Sequence, residues 1–237
     1  MSYDELWPGG PRFLQEADSF RLSTDSVLLA DFAANVRAKT VFDLGCGAGV
    51  LTVLLRVSHP EARIGGIEIQ PEAAALCRKN LAENGFDASA ILTGDLREHR
   101  RLLTAGAFDL VVSNPPYFAA DSGYTAPEAG RAAARDERFC TLDDLCTAAA
   151  YLTRWGGAFC LVHRPERLPE IFCALSAHGL EPKRLRTVQH RSGSAPNLVL
   201  IEARRGGKPG LRLEAPLLLT DAAGGDSEEA KKIYHRG

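Results

Sequence analysis

A chain of 237 residues, 45% hydrophobic and 24% charged, suits one soluble α/β domain with extensions and a substantial core. A formal net charge of −2 argues against blanket nucleic-acid binding. The charge is uneven, however: residues 1–179 hold 17 basic and 23 acidic side chains, residues 180–237 hold 11 and 7, and this modest asymmetry favours an RNA-facing surface in the last quarter, with a solvated charged face the reading of any single arginine there.

Further exclusions follow from residue types. No stretch reaches the apolar length of a membrane span. Met1-Ser2-Tyr3-Asp4-Glu5 lacks the basic and apolar regions of a signal peptide, which places the protein in the cytoplasm. Six cysteines without C-x-x-C spacing suggest reduced thiols packed as small apolar groups, with neither a metal site nor a disulfide frame.

In chain order, Pro8-Gly9-Gly10-Pro11 is a turn, and a short hairpin over a ligand pocket is expected around Arg12–Gln15 and Ser19–Leu22. Ser23-Thr24-Asp25 offers helix-capping chemistry before Val27, Leu28, Leu29, Phe32 and Val36, spaced for one buried face. Thr40–Leu44 is the first buried strand. It runs into Gly45-Cys46-Gly47-Ala48-Gly49, whose glycines let backbone turn sharply and approach a ligand, and then into an apolar helix, Val50–Val57.

Arg63–Ile69 is the second strand, with Glu68 placed to accept two ribose hydroxyls, a helix-capping or surface carboxylate being the alternative. Pro71 opens a helix that Gly85 stops. Ala88–Thr93 is the third strand, followed by Gly94-Asp95-Leu96, where a plain turn aspartate is one reading. A short polar helix, Arg97–Leu103, precedes the fourth strand, Phe108–Ser113.

That strand ends abruptly at Asn114-Pro115-Pro116-Tyr117, because proline can neither donate to a ladder nor continue it. The turn leaves the Asn114 side chain and the Pro115 carbonyl at a strand's carboxyl end, where open α/β sheets bind ligands. A side-chain carbonyl beside a main-chain carbonyl suits the two hydrogens of an –NH2 group, and Tyr117 offers a flat face for a planar base or amide. Two accepted hydrogen bonds help to localise the lone pair of a conjugated amine and stabilise the positive charge that develops as it attacks. An ordinary strand-ending turn, or a Pro-Tyr interaction motif, is the alternative.

Residues 118–140 are Gly/Ala-rich and too long for a mere connection. Arg131, Arg135 and Arg138 within them suit phosphate contacts. Thr141-Leu142-Asp143-Asp144 caps a helix to about Thr153. Trp155-Gly156-Gly157 then turns into a fifth strand, Ala158–His163, with His163 and Arg164 at its carboxyl end. A helix over 167–178 and a hairpin of strands, Arg184–His190 and Asn197–Ala203, follow.

Several of these residues carry a family resemblance. Asp43-Leu44-Gly45-Cys46-Gly47-Ala48-Gly49 resembles the cofactor loop of class I methyltransferases, and Asn114-Pro115-Pro116-Tyr117 resembles the motif by which amino-methyltransferases hold the amine they methylate. The stretch Phe20–Ala30, the Asn that begins the Pro-Pro motif, and Leu217-Leu218-Leu219-Thr220-Asp221 with Glu229 and Ile233-Tyr234 are similar to one branch of them. That branch comprises the bacterial enzymes that methylate N6 of the adenine just 3′ of the anticodon in a valine tRNA. Arg135-Asp136-Glu137 departs from its usual Arg-His-Glu.

The resemblance implies a Rossmann-like α/β fold, doubly wound, with a mostly parallel seven-stranded sheet and one antiparallel strand. It implies a cover segment (1–22), a methyltransferase domain (23–205) and a basic tail (206–237). S-adenosylmethionine is the implied cofactor and tRNA the implied partner. Thr24 and Asp25 would line the methionine end of the cofactor, or simply cap their helix. Asp43, Gly45, Gly47 and Gly49 would serve its amino-acid portion, Glu68 and Ile69 its ribose side, and Asp95 and Leu96 its adenine. Asn114, Pro115 and Tyr117 would act in transfer. Tyr117, Phe118, Arg131, Arg135 and Arg164 would meet the RNA. Three alternatives stay open: another amine (a guanine N2 of ribosomal RNA or a release-factor glutamine amide), a nicotinamide oxidoreductase, and a silent RNA-binding module.

Overall fold

A computed structural model describes residues 2–15, 24–116 and 140–236. Among them, a nine-stranded sheet is organised around two adjacent central strands, β3 (Thr40–Leu44) and β6 (Phe108–Ser113). β4 (Arg63–Glu68) and β5 (Ile91–Thr93) extend the sheet on one side. On the other lie β7 (Thr153–His163), β9 (Pro196–Arg205) and β8 (Leu180–Gln189). Every pairing from β5 to β7 is parallel, and β9 alone runs antiparallel to both its neighbours. The expected seven-stranded order with one reversed strand is therefore present.

Two-residue strands add what the sequence reading lacked. β10 (Arg212–Leu213) and β11 (Leu217–Leu218) pair in parallel with the outer edge of β8 and cover it.

Strand alternation decides which layer each residue supports. Leu110, Val112, Ala158, Cys160 and Val162 pack with α1 (Thr24–Ala34) and α2 (Val50–Ser58). Val111, Phe159 and Leu161 point the other way, to α5 (Leu142–Leu152) and α6 (Leu168–Ala177). α3 (Pro71–Glu83) packs over β4 and β5, and the short α4 (His99–Leu102) precedes β6.

Glycine permits the closest of these approaches. A side chain at Gly49, which sits at φ +87° before α2, would put its Cβ 2.6 Å from the Cys77 sulfur of α3.

Two polar clamps hold the scaffold in register. Asp109 Oδ2 accepts from the backbone N–H of Lys39 at 2.8 Å and of Thr40 at 3.1 Å, tying β6 to the entry of β3. Arg184, buried on β8, donates to Glu202 of β9 at 2.9 Å and to the Phe32 carbonyl of α1 at 2.7 Å, with its guanidinium 3.7 Å from the Phe32 ring centroid. α1 is thus anchored at its carboxyl-terminal half.

The N-terminal segment holds a strand pairing that the sequence did not indicate. β2 (Arg12–Gln15) pairs antiparallel with β1 (Ser2–Glu5) across the Pro8-Gly9-Gly10 turn; the expected partner, Ser19–Leu22, lies outside the described residues. The hairpin docks on α3, where Asn80 accepts the Leu14 N–H at 2.8 Å and Asn84 the Arg12 N–H at 2.9 Å.

β7 likewise starts earlier than expected and runs through Trp155-Gly156-Gly157, with a register shift opposite Phe108 and Leu110. The tail beyond β9 is a packed element: α7 (Glu228–Ile233) is capped by Ser227 and buries Ala230 and Ile233. Among the described residues, no helix is long and apolar enough to cross a membrane, and no three potential metal ligands cluster.

Candidate active site

The carboxyl ends of β3, β4, β5, β6 and β7 open into one cavity of about 330 Å³. Its floor is the turn after β3. There the N–H groups of Gly45 and Cys46 donate to the Ile67 carbonyl of β4, at 2.9 and 3.1 Å, and bend the glycine loop over the neighbouring strand.

Asp43, the last but one residue of β3, lies under this loop and is 1% exposed. Its Oδ2 accepts from Thr52 at 2.7 Å, while Oδ1 has no hydrogen-bond partner. Burial pushes its carboxyl up to about 7; the Thr52 hydrogen bond opposes that rise and the nearby Glu68 carboxylate adds to it. A buried acceptor left unmatched at a cavity wall suits a cationic or N–H-bearing ligand group.

Glu68 closes β4 and is held from two sides. Oε2 accepts the Gly47 N–H and Oε1 the Gln70 N–H, both at 2.9 Å. Each oxygen keeps a further lone pair for a hydroxyl donor. Beside it, Ile69, 43% exposed, lines the cavity together with Leu96, and the two offer apolar surface for a flat ring. Asp95 also lines the cavity and caps the following 3-10 turn. It accepts from the Arg97 backbone at 2.9 Å and is ion-paired to the same residue's guanidinium, which holds its carboxyl below the usual range.

The opposite wall is Asn114-Pro115-Pro116 at the end of β6. Asn114 donates from Nδ2 to Ser26 Oγ of α1 at 2.9 Å, and Ser26 is itself a buried cavity residue. The preceding Ser113 donates to the Leu44 carbonyl at 2.8 Å, so the end of β6 is fixed to the end of β3. Thr141 and Asp144 form a reciprocal capping box that starts α5 at the rim.

His163 closes β7 at the cavity, 1% exposed. Burial, then the Arg167 charge, pulls its imidazolium down to about 4. Its Nδ1 accepts from the Arg164 N–H at 2.8 Å, so the neutral ring carries its proton on Nε2.

The expected residues thus fall into three groups. Asp43, Gly45, Gly47, Glu68, Ile69, Asp95, Leu96, Asn114 and Pro115 all line the one cavity. Gly49 stands behind it at the start of α2. Thr24 and Asp25 occupy the first turn of α1, with Thr24 Oγ1 3.3 Å from Asp25 Oδ1, and are not in its lining; Arg164 donates to the Asn197 carbonyl at 3.1 Å outside it. Tyr117, Phe118, Arg131 and Arg135 lie outside the described residues.

Ser26, Gln70 and Thr141 are cavity residues that the sequence reading did not single out. Only the first had a signal: a hydroxyl among Val27, Leu28 and Leu29 on a buried helix.

A mostly parallel sheet with a single reversed strand, and an acid-lined glycine loop after its central strand, is the architecture of the class I methyltransferases. Solved structures share that fold. One from Agrobacterium tumefaciens, described as a predicted O-methyltransferase, matches at TM-score 0.73 with 22% identity over 90% of this chain and 96% of its own. The Thermus thermophilus 16S rRNA N2 G1207 methyltransferase, in complex with AdoMet and guanosine, matches at TM-score 0.54 with 20% identity over 82% of this chain and 46% of its own. Residues 21–135 match the family model described as methyltransferase small domain.

Curated relatives narrow the class. The tRNA1(Val) (adenine(37)-N6)-methyltransferase of Porphyromonas gingivalis is 33% identical over 80% of this chain and 76% of its own length. That of Aeromonas hydrophila is 30% identical over 79% and 78%. The chain belongs to the tRNA1(Val) (adenine(37)-N6)-methyltransferase family.

Proposed function

We propose that this protein transfers a methyl group from S-adenosylmethionine to the exocyclic N6 of an adenine in tRNA, the adenine beside the anticodon of a valine tRNA. The observation that carries the reading is the shared cavity: Asn114-Pro115 forms one wall of the space whose other walls are Asp43, the glycine loop, Glu68 and Asp95.

The residues fit the cofactor. The unmatched Asp43 Oδ1 suits its ammonium group, the free lone pairs of Glu68 suit its ribose hydroxyls, and Ile69, Leu96 and Asp95 suit an adenine ring and its amine. When bound, S-adenosylmethionine supplies an electrophilic methyl group on a sulfonium.

The chain's own contribution is placement and charge stabilisation. Asn114 Oδ1 and the Pro115 carbonyl accept the two hydrogens of the target amine, which lowers its conjugation and offsets the positive charge that develops on nitrogen. Holding amine and methyl in line supplies much of the rate. Tyr117, next in the chain, gives the extruded base a stacking face, worth roughly 1–3 kcal/mol by side-chain removal. Arg131, Arg135 and Arg164 provide phosphate contacts.

No general base is needed, because the alkylated amine loses its proton readily to water. His163 is not arranged to act as one: its Nδ1 lone pair is occupied by the Arg164 N–H and its Nε2 bears a hydrogen.

The test is to incubate the protein with methyl-labelled S-adenosylmethionine and unmodified bulk tRNA, then digest and identify the labelled nucleoside. The reading predicts N6-methyladenosine. Label in N2-methylguanosine, or no label in tRNA while cofactor is bound, would overturn it.

A further inference from the structure

A primary amide has two ends of nearly equal size and opposite hydrogen-bonding sense. Rotated by half a turn, the Asn114 side chain would present N–H hydrogens where the proposed chemistry requires an acceptor, and would repel the –NH2 it is meant to hold. Pro115 and Pro116 fix the backbone of this turn but do nothing to set that side-chain rotation. One determinant comes from elsewhere in the chain.

Ser26 accepts the Asn114 Nδ2 hydrogen at 2.9 Å across 88 residues of sequence. It is 7% exposed, on a helix whose neighbouring positions Val27, Leu28, Leu29 and Ala30 are all buried apolar residues. Alanine would serve the helix and the core better than serine at such a position, so the hydroxyl has a polar task. α1 is rigid enough to perform it: Arg184 bonds the Phe32 carbonyl near the far end of the helix, and the helix face is packed against β6 and β7.

We propose that Ser26 is a positioning residue for methyl transfer: its hydroxyl, used as an acceptor from Nδ2 rather than as a donor to Oδ1, holds the Asn114 amide with its carbonyl oxygen as the group offered to the target amine. The inference rests on the role assigned to Asn114 above. Ser26 itself touches neither methyl nor amine in this account. Its effect is on the fraction of molecules whose amide is correctly turned, and so on kcat rather than on cofactor affinity.

The test compares Ser26→Ala, Ser26→Cys and Ser26→Thr with the wild type and with Asn114→Ala. The readouts are kcat and KM for unmodified tRNA, the Kd for S-adenosylmethionine, and the thermal midpoint. Ser26→Ala and Ser26→Cys, which remove the oxygen acceptor, are expected to lower kcat about tenfold with KM and cofactor Kd within about twofold. Ser26→Thr retains the hydroxyl and is expected to keep kcat within about threefold of wild type. A kcat in Ser26→Ala within about twofold of wild type, an equal loss in Ser26→Ala and Ser26→Thr, or a loss that follows a fall in cofactor affinity or thermal midpoint would overturn the inference. Normal turnover in Asn114→Ala would instead sink the role of Asn114, which separates the two failures.

Discussion

The two walls of the cavity are built in opposite ways. On the cofactor side the functional groups are held from nearer in the chain: the Glu68 carboxylate accepts the N–H groups of Gly47, 21 residues before it, and of Gln70, and Asp95 accepts from Arg97 two residues on. On the acceptor side, Asn114 is held by Ser26 from α1, and the strand end beneath it by Leu44 of β3. Local construction tolerates change elsewhere in the molecule. Long-range construction makes the acceptor side depend on how α1 sits against the sheet.

Breaking the anchor of α1 has the largest expected effect. Arg184→Met leaves buried Glu202 with Arg204 alone and strips the Phe32 carbonyl of its donor, and removal of one member of a buried pair costs up to about 3–5 kcal/mol. Urea unfolding is expected to show a loss of that order. In the protein that stays folded, turnover should fall further than cofactor affinity. Equal losses in both would contradict the asymmetry between the walls.

The cofactor wall is expected to fail differently. Glu68→Ala removes two carboxylate acceptors from the cavity and frees the Gly47 N–H of the glycine loop. Hydrogen bonds to a charged group are worth about 1.5–3 kcal/mol, so calorimetry should show cofactor affinity about 10- to 100-fold weaker. At saturating cofactor, turnover should recover most of its wild-type value. A variant that binds normally would remove Glu68 from the site.

The smallest expected effect is a cancellation. Asp43 is raised from about 3.8 toward 7, so between those values the folded state holds a proton that the unfolded state has lost. Its contribution to stability is complete below about pH 4 and is lost as pH rises through about 7. His163 is lowered from 6.5 to about 4, so the unfolded state holds the extra proton, and stability from this group grows as pH rises from about 4 to 6.5. The two slopes oppose each other at up to about 1.4 kcal/mol per pH unit each. Urea midpoints of the wild type should therefore change little between pH 4.5 and 6.5 on account of this pair. Asp43→Asn should leave a rising dependence and His163→Gln a falling one. Identical pH profiles for both variants would show that neither group titrates as its burial implies.

The same contrast explains what could be read in the sequence. Asp43, the glycine loop, Glu68 and Asp95 each end or follow a strand whose apolar run marks it, so residue type and position together indicated the wall. Asn114-Pro115-Pro116 was legible for the same reason. Its orienting partner was not, because a serine on a helix has many roles and only the fold brings position 26 beside position 114.

The pairing of β2 with β1 was not anticipated, because Ser2–Glu5 is polar and carries no apolar strand pattern. The small strands β10 and β11 gave too short a pattern to register. The tail they belong to was judged by charge, yet residues 206–237 hold five basic and five acidic side chains, and the segment closes a sheet edge and packs α7 on the core.

One cavity divides cofactor binding from methyl transfer between its two walls, and one preparation of Asn114→Ala tests that division. Cofactor Kd and methyl transfer to unmodified tRNA would be measured on the same sample. Binding within about twofold of wild type, with kcat lowered about 100- to 1,000-fold as for removal of a group that stabilises transition-state charge, is the predicted result. Normal transfer, or a loss of binding that accounts for the loss of transfer, would contradict it.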